Sequence, residues 1–224
     1  MKPPAILIGL VLVLAACAAT PTPTAKPACP TEAPTDVSAQ ATLTDASLAV
    51  VRVSGAVEGE FSIELYGAVA PIATASFVAL ARCGFYDGIK FHRVIAGFVI
   101  QAGDPESANH EGDFPGIGTG GPGYQFEIEP PPEGLRYDPY VVAMANDTVA
   151  NGSQFFIDLV DLDDALRQVG VYTIFGAVVG GIDIIDAIGQ VPVNDPRIGI
   201  PVTPVTIDSI IISAGGPPQS SPGS

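Results

Sequence analysis

Apolar and polar residues alternate along Phe61-Ser62-Ile63-Glu64-Leu65-Tyr66, and a period of two predicts a strand with one buried face. Ala49-Val50-Val51-Arg52-Val53 predicts a strand before it, with Gly55 to Gly59 as the turn. The period then lengthens. Pro71 opens a helix at a position where its missing N–H costs little; Phe77, Leu80 and Ala81 share one face, and Gly84 ends it. Residues 90–95 and 98–102 return to strand, with Gly97 in the turn. Short apolar runs at 141–145, 154–159 and 172–178 predict three more strands. A second short helix spans 182–188 before Gly189, and a last strand covers 205–213. Many short strands with two helices predict a mainly β domain over 46–213, closed into a barrel that leaves no sheet edge.

The flanks depart from this pattern. Residues 6–16 are an apolar run too short to span a bilayer, preceded by the single charge of Lys2. The run ends in Leu14-Ala15-Ala16-Cys17, which resembles a bacterial lipobox. That reading makes 1–16 a signal peptide and Cys17 the lipidated first mature residue. The protein then sits on the extracytoplasmic face of a membrane, in the cell envelope, held by its N-terminal lipid only. An ordinary signal peptide cut nearby, with Cys17 incidental, is the simpler alternative. Residues 17–45 are rich in Thr, Ala and Pro and read as a spacer; 214–224 read as a disordered tail.

Composition narrows the function. The 25 Gly and 22 Pro in 224 residues suit a turn-rich β fold. A net charge of -15 excludes nucleic acid as a natural partner, since a phosphate backbone repels such a surface. With Cys17 lipidated, Cys29 and Cys83 remain, either as a disulfide or as two free thiols. The acidic stretch Asp104, Glu106, Asn109, His110, Glu111 and Asp113 has no EF-hand spacing and reads as a solvated loop, as do Asp158/Asp161 and Asp163/Asp164. His92 and His110 have no nucleophile arrangement around them, and no metal or cofactor is implied.

The chemistry concentrates in 91–104, Phe-His-Arg-Val-Ile-Ala-Gly-Phe-Val-Ile-Gln-Ala-Gly-Asp. Arg93 and Gln101 sit among apolar residues on a strand–turn–strand. A cation on an apolar floor holds a carbonyl oxygen beside a greasy ring, as in a proline-containing peptide. Gly84-Phe85-Tyr86-Asp87-Gly88 precedes this stretch. Gly118-Thr119-Gly120-Gly121, Met144-Ala145-Asn146, Asn151-Gly152-Ser153-Gln154-Phe155-Phe156-Ile157 and Tyr172-Thr173-Ile174-Phe175-Gly176 follow in order. This stretch and the five motifs around it, in this order, resemble the cyclophilins, a family of peptidyl-prolyl isomerases, over nearly the whole domain.

The resemblance implies an eight-stranded antiparallel barrel capped by two α-helices, acting on Pro-containing polypeptides, with nothing requiring more than a monomer. It implies Arg93 as the catalytic donor. Phe98, Val99 and Phe156 would hold the proline ring with a leucine, either Leu162 or Leu166. Gln101 and Asn146 would bond the substrate backbone, helped by Ala145 and Gln154. Tyr172 stands where many eukaryotic relatives have histidine. Taken alone, without the motif, Phe98, Val99 and Phe156 read more readily as barrel core than as a pocket. The stretches 104–118 and 158–171 are longer than the family pattern, and the first lies beside the expected groove. The chain has no Trp, from which we expect weak cyclosporin binding.

Overall fold

Eight antiparallel strands form one strongly curled sheet in the computed structural model, which describes residues 26–35, 47–110, 112–146 and 150–213. The lipobox-like segment with Cys17, most of the spacer, Glu111 and the tail lie outside the described residues. The strands are β1 (Leu48–Gly55), β2 (Gly59–Leu65), β3 (Arg93–Val94), β4 (Val99–Ala102), β5 (Val141–Asn146), β6 (Asn151–Asp158), β7 (Ile174–Gly180) and β8 (Val205–Ser213). Their order is β3-β4-β6-β5-β7-β2-β1-β8. Three α-helices accompany them: α1 (Pro71–Cys83), α2 (Asp163–Val169) and α3 (Ile182–Ile188). No helix among the described residues is long and apolar enough to cross a membrane.

Two expectations need correction. The strand ladders do not close, because β3 and β8 are the sheet's two ends. The expected strand over 90–95 changes partner midway. Phe91 N donates to Val205 O of β8 at 2.9 Å and Lys90 forms a lone bridge to Thr206, whereas Arg93 and Val94 pair with β4. The chain therefore bends at His92, and only two residues remain for β3. The edge of β3 is covered instead by the 199 loop, with Val94 N donating to Gly199 O at 2.7 Å. The second correction is a third helix: α2 forms inside the long stretch 158–171.

The inner face of the sheet carries the alternation that the sequence predicts. Ala49, Val51 and Val53 of β1 and Phe61, Ile63 and Leu65 of β2 point into one core. Phe77 of α1 meets Phe155 edge-on at 5.7 Å and lies 5.2 Å from Phe175. Each fully buried side chain of this size contributes about 1.5–3 kcal/mol relative to exposure. Helix α1 stops at Gly84, whose φ of 79° only glycine adopts without strain. Its first turn lacks a side-chain cap of its own. The carboxylate of Glu129 supplies one from afar, accepting from Ile72 N at 3.0 Å and Ala73 N at 2.8 Å. Cys29 and Cys83 form a disulfide, which ties residues 26–35 to the end of α1 beside the Lys26–Asp87 ion pair.

Candidate active site

Strand register brings the motif residues together on the outer face of the sheet. Arg93 of β3 lies opposite Gln101 of β4, Gln101 opposite Phe156 of β6, and Phe156 opposite Ala143 of β5. These four form one cross-strand row, within reach of one another. Val99 and Phe156 belong to a cluster separate from the main core, with Leu162, Leu166, Tyr137, Val141, Ala143 and Ile174. Phe98, Ala145 and Tyr172 are partly exposed and pack against it. Val99 and Phe156 therefore pack in a second apolar cluster, apart from the main core. The main core takes Ile100, Phe155 and Ile157, their neighbours in sequence, and Val99 and Phe156 point the other way.

Val99 is 3% exposed and Phe156 5%, so they make a floor and Phe98 with Tyr172 make the walls. The Tyr172 ring meets Phe156 edge-on, 5.4 Å between centroids. Both Leu162 and Leu166 are buried here, so the long 158–171 stretch supplies two leucines. Arg93 holds its guanidinium 5.8 Å from the Phe98 ring centre. It has no ion-pair partner among the described residues. Partial burial lowers its pKa, the nearby Tyr172 phenol opposes this, and it stays a cation.

Beside the row lies an open hollow of about 850 Å³, lined by Gln101, Thr119, Tyr124, Ala145, Asn146 and Gln154 among others. Its wall is organised by Gln154. The side-chain nitrogen donates to both Gly118 O and Gly120 O at 2.8 Å, and the oxygen accepts from Gln101 Nε2 at 3.0 Å. Gln154 is thus committed to the protein, and its part at the site is to hold Gln101 and the glycine strap. Gln101 Oε1 has no hydrogen bond among the described residues and is left for a ligand. Asn146 Nδ2 donates to Val171 O at 2.9 Å, which ties the end of β5 to the segment that carries Tyr172.

The acidic residues are less solvated than their spacing suggests. Asp104 is buried and accepts from Glu106 N at 2.9 Å and Gly118 N at 2.6 Å, which closes the neck of the 105–117 stretch. A Cβ on Gly120 would collide with that carboxylate. None of the described residues between 105 and 117 lines the hollow. They fold back over Lys90, where Ser107 Oγ accepts from Lys90 N at 3.0 Å, and border a separate shallow cleft of about 280 Å³. Asp163 is buried, receives Tyr137 N, and pairs with Arg136 and Arg167. Asp158 is buried with both carboxyl oxygens unpartnered among the described residues. His92 is 6% exposed, and desolvation lowers its pKa to about 4, so it is a neutral packing residue at neutral pH.

One contributor escaped the sequence reading. Tyr137 lies in a loop with no motif, yet its hydroxyl donates to Tyr172 O at 2.8 Å and accepts from Tyr172 N at 3.1 Å. It sets the backbone that presents Tyr172. Only the fold brings residues 35 apart together here.

Comparison with known proteins agrees with this geometry. The family model described as cyclophilin type peptidyl-prolyl cis-trans isomerase matches residues 49–212. Peptidyl-prolyl cis-trans isomerase B of Streptomyces anulatus is 45% identical over 130 residues, covering 57% of this chain and 67% of that protein. Peptidyl-prolyl cis-trans isomerase A of Mycobacterium tuberculosis is 40% identical over 176 residues, covering 69% and 87%. A crystal structure of a Cryptosporidium parvum cyclophilin type isomerase superposes with a TM-score of 0.64 at 30% identity, over 76% of this chain and 99% of that one. The same protein was also solved in the presence of the dipeptide Ala-Pro, with a TM-score of 0.63 at 31% identity over 75% and 99%. A row that places a cation without an ion-pair partner among the described residues beside an apolar floor, and a family model that matches residues 49–212, lead to one conclusion: the chain belongs to the cyclophilin-type peptidyl-prolyl cis-trans isomerase family.

Proposed function

We propose that this protein accelerates rotation about X–Pro bonds in extracytoplasmic polypeptides and so assists their folding. The observation that carries the reading is the row Arg93–Gln101–Phe156, a cation without an ion-pair partner among the described residues beside an apolar floor. Amide resonance sets a barrier of about 18–20 kcal/mol to this rotation. Nothing covalent happens, so no nucleophile, proton relay or metal is needed. The catalyst has to favour the twisted amide, in which the proline nitrogen regains a lone pair. The proline ring seats on Val99 and Phe156 between Phe98 and Tyr172. Arg93 donates toward the proline nitrogen and its carbonyl side as the bond turns, a preorganised electrostatic stabilisation. Gln101, steadied by Gln154, holds the peptide backbone on the far side of the ring. A rate gain of about 10⁵ requires about 7 kcal/mol, more than one donor supplies, so distortion of the held peptide contributes the rest.

Lipid anchoring at Cys17 and an envelope location belong to the same proposal. The Cys29–Cys83 disulfide supports them, since such bonds persist in oxidising compartments. Incorporation of labelled palmitate that vanishes in Cys17→Ser tests the anchor; equal labelling in the variant rejects it. For the catalytic reading, isomerisation of a short Ala-Pro peptide is compared between the soluble domain and Arg93→Ala. A fall in kcat/KM of about 100-fold with peptide affinity largely kept is expected, because the donor acts mainly in the transition state. A folded wild-type domain that binds the peptide without turnover would make the protein a proline-peptide-binding module instead.

A further inference from the structure

The residue after Ile157, on the same face of β6 as Phe156, is Asp158. Register sets it opposite Val99 of β4. The neighbouring pair Val142–Ile157 brings Val141 of β5 to its other side. Val99–Asp158–Val141 is therefore the row next to Arg93–Gln101–Phe156–Ala143, and both valines belong to the pocket cluster. A carboxyl group stands where an aliphatic side chain would complete the floor. Asp158 is 0% exposed, and neither carboxyl oxygen has a hydrogen-bond partner among the described residues.

The groups facing it do not favour a charge. Asp138 before β5 and Asp161 after β6 are like charges, and Tyr137 is near enough for its phenol to feel the carboxyl's charge. The nearby cations are engaged elsewhere: Arg136 with Asp138, Asp161 and Asp163, and Arg167 with Asp163 and Leu135 O. Burial first, then Asp138 and Asp161, push the carboxyl up to about 8. The flanking backbone is tied to the pocket. Asp158 O accepts from Tyr140 N at 2.7 Å, and Leu159 N donates to Phe98 O at 2.9 Å.

We propose that Asp158 is a positioning residue of the isomerase site: as a neutral acid it lets β4, β6 and the Leu162 segment close beneath the proline-ring pocket, and as a carboxylate it draws water in and opens that floor. The inference rests on the isomerase reading for its consequence in turnover. A buried carboxylate without a cation or donors is too costly to stay dry, so ionisation must disturb the packing of Val99 and Val141 beside it and of the cluster they share with Leu162.

The test is the pH profile of kcat/KM on an Ala-Pro peptide from pH 6.5 to 9, for the wild type, Asp158→Asn and Asp158→Val. The wild type should lose about tenfold between pH 7 and 9 through one ionisation, and both variants should stay flat, since neither has a group to ionise there. Methyl NMR of Val99 and Leu162 over the same range reads the floor directly. Their resonances should titrate in the wild type with the midpoint of the kinetic profile and not in the variants. A wild-type profile shared by both variants, or wild-type methyls that do not move with pH, overturns the proposal. If the wild type shows no turnover at any pH, the isomerase reading fails, and the methyl titration still decides Asp158.

Discussion

Gln154 is the side chain on which the site's polar half depends, and replacing it gives a sharp test. Its amide makes three hydrogen bonds, two as donor to Gly118 O and Gly120 O at 2.8 Å and one as acceptor from Gln101 at 3.0 Å. Gln154→Leu keeps the volume and removes all three. Each is worth about 0.5–1.5 kcal/mol net, so the loss is about 3 kcal/mol, and the thermal midpoint of a domain this size should fall by about 6–12 °C. Gln101 loses the anchor that orients it, and kcat/KM should fall by about tenfold, equal to about 1.4 kcal/mol of transition-state stabilisation. Gln154→Glu separates hydrogen bonding from shape. It is nearly isosteric, but it aims carboxylate oxygens at two carbonyl oxygens in a buried place, so at pH 7 it should be at least as harmful as leucine. Calorimetry with a peptide isomerisation assay reads both effects. A leucine variant melting within about 1 °C of wild type with full activity would refute the reasoning, as would a benign glutamate variant.

Three further outcomes follow from the same structure. Tyr137→Phe removes the hydroxyl shared by Tyr172 N and O and should cost about 1–3 kcal/mol while raising KM for the peptide, measured by denaturant melts and steady-state kinetics. Removing the disulfide with Cys29→Ser and Cys83→Ser should destabilise by up to about 4 kcal/mol in the chain-entropy limit for a separation of 54 residues, with little change in kcat once folded. Asp158 also sets a pH dependence of stability. Its folded pKa of about 8 lies above the unfolded value, so the folded chain holds the extra proton. That stabilisation is complete below about pH 4 and is lost as pH rises to about 8, by on the order of 5 kcal/mol at most. Asp158→Asn should melt above wild type at pH 8, less what its own unpaired buried amide costs, and the gap should close toward pH 4. A gap that does not change with pH would remove Asp158 as its source.

The chain alone determined the elements whose period is local. Alternation in β1 and β2, the Pro71-to-Gly84 bounds of α1 and the Val205–Ser213 strand all depend on residues a few positions apart. It also determined the row Arg93, Gln101 and Phe156, because the motifs that carry these residues are contiguous and recognisable. What depends on distant partners was not legible there. Residues 90–95 read as one strand, yet half pairs with β8 and half with β4, a choice made by strands more than 100 residues away in one case and by the adjacent hairpin in the other. The barrel therefore stays open. Asp104, Asp158 and Asp163 look like solvated acids in a chain of charge -15, and the fold buries all three, because burial depends on what packs across and not on what adjoins. Asp104 meets the Gly118 amide and Asp163 meets two arginines, but among the described residues Asp158 meets valines, Tyr137 and like charges, with no cation or donor for its carboxyl group. Desolvation and Coulomb energy act through space, so the sequence supplied the carboxyl groups and the tertiary structure alone decided which would be ligated, paired or kept neutral.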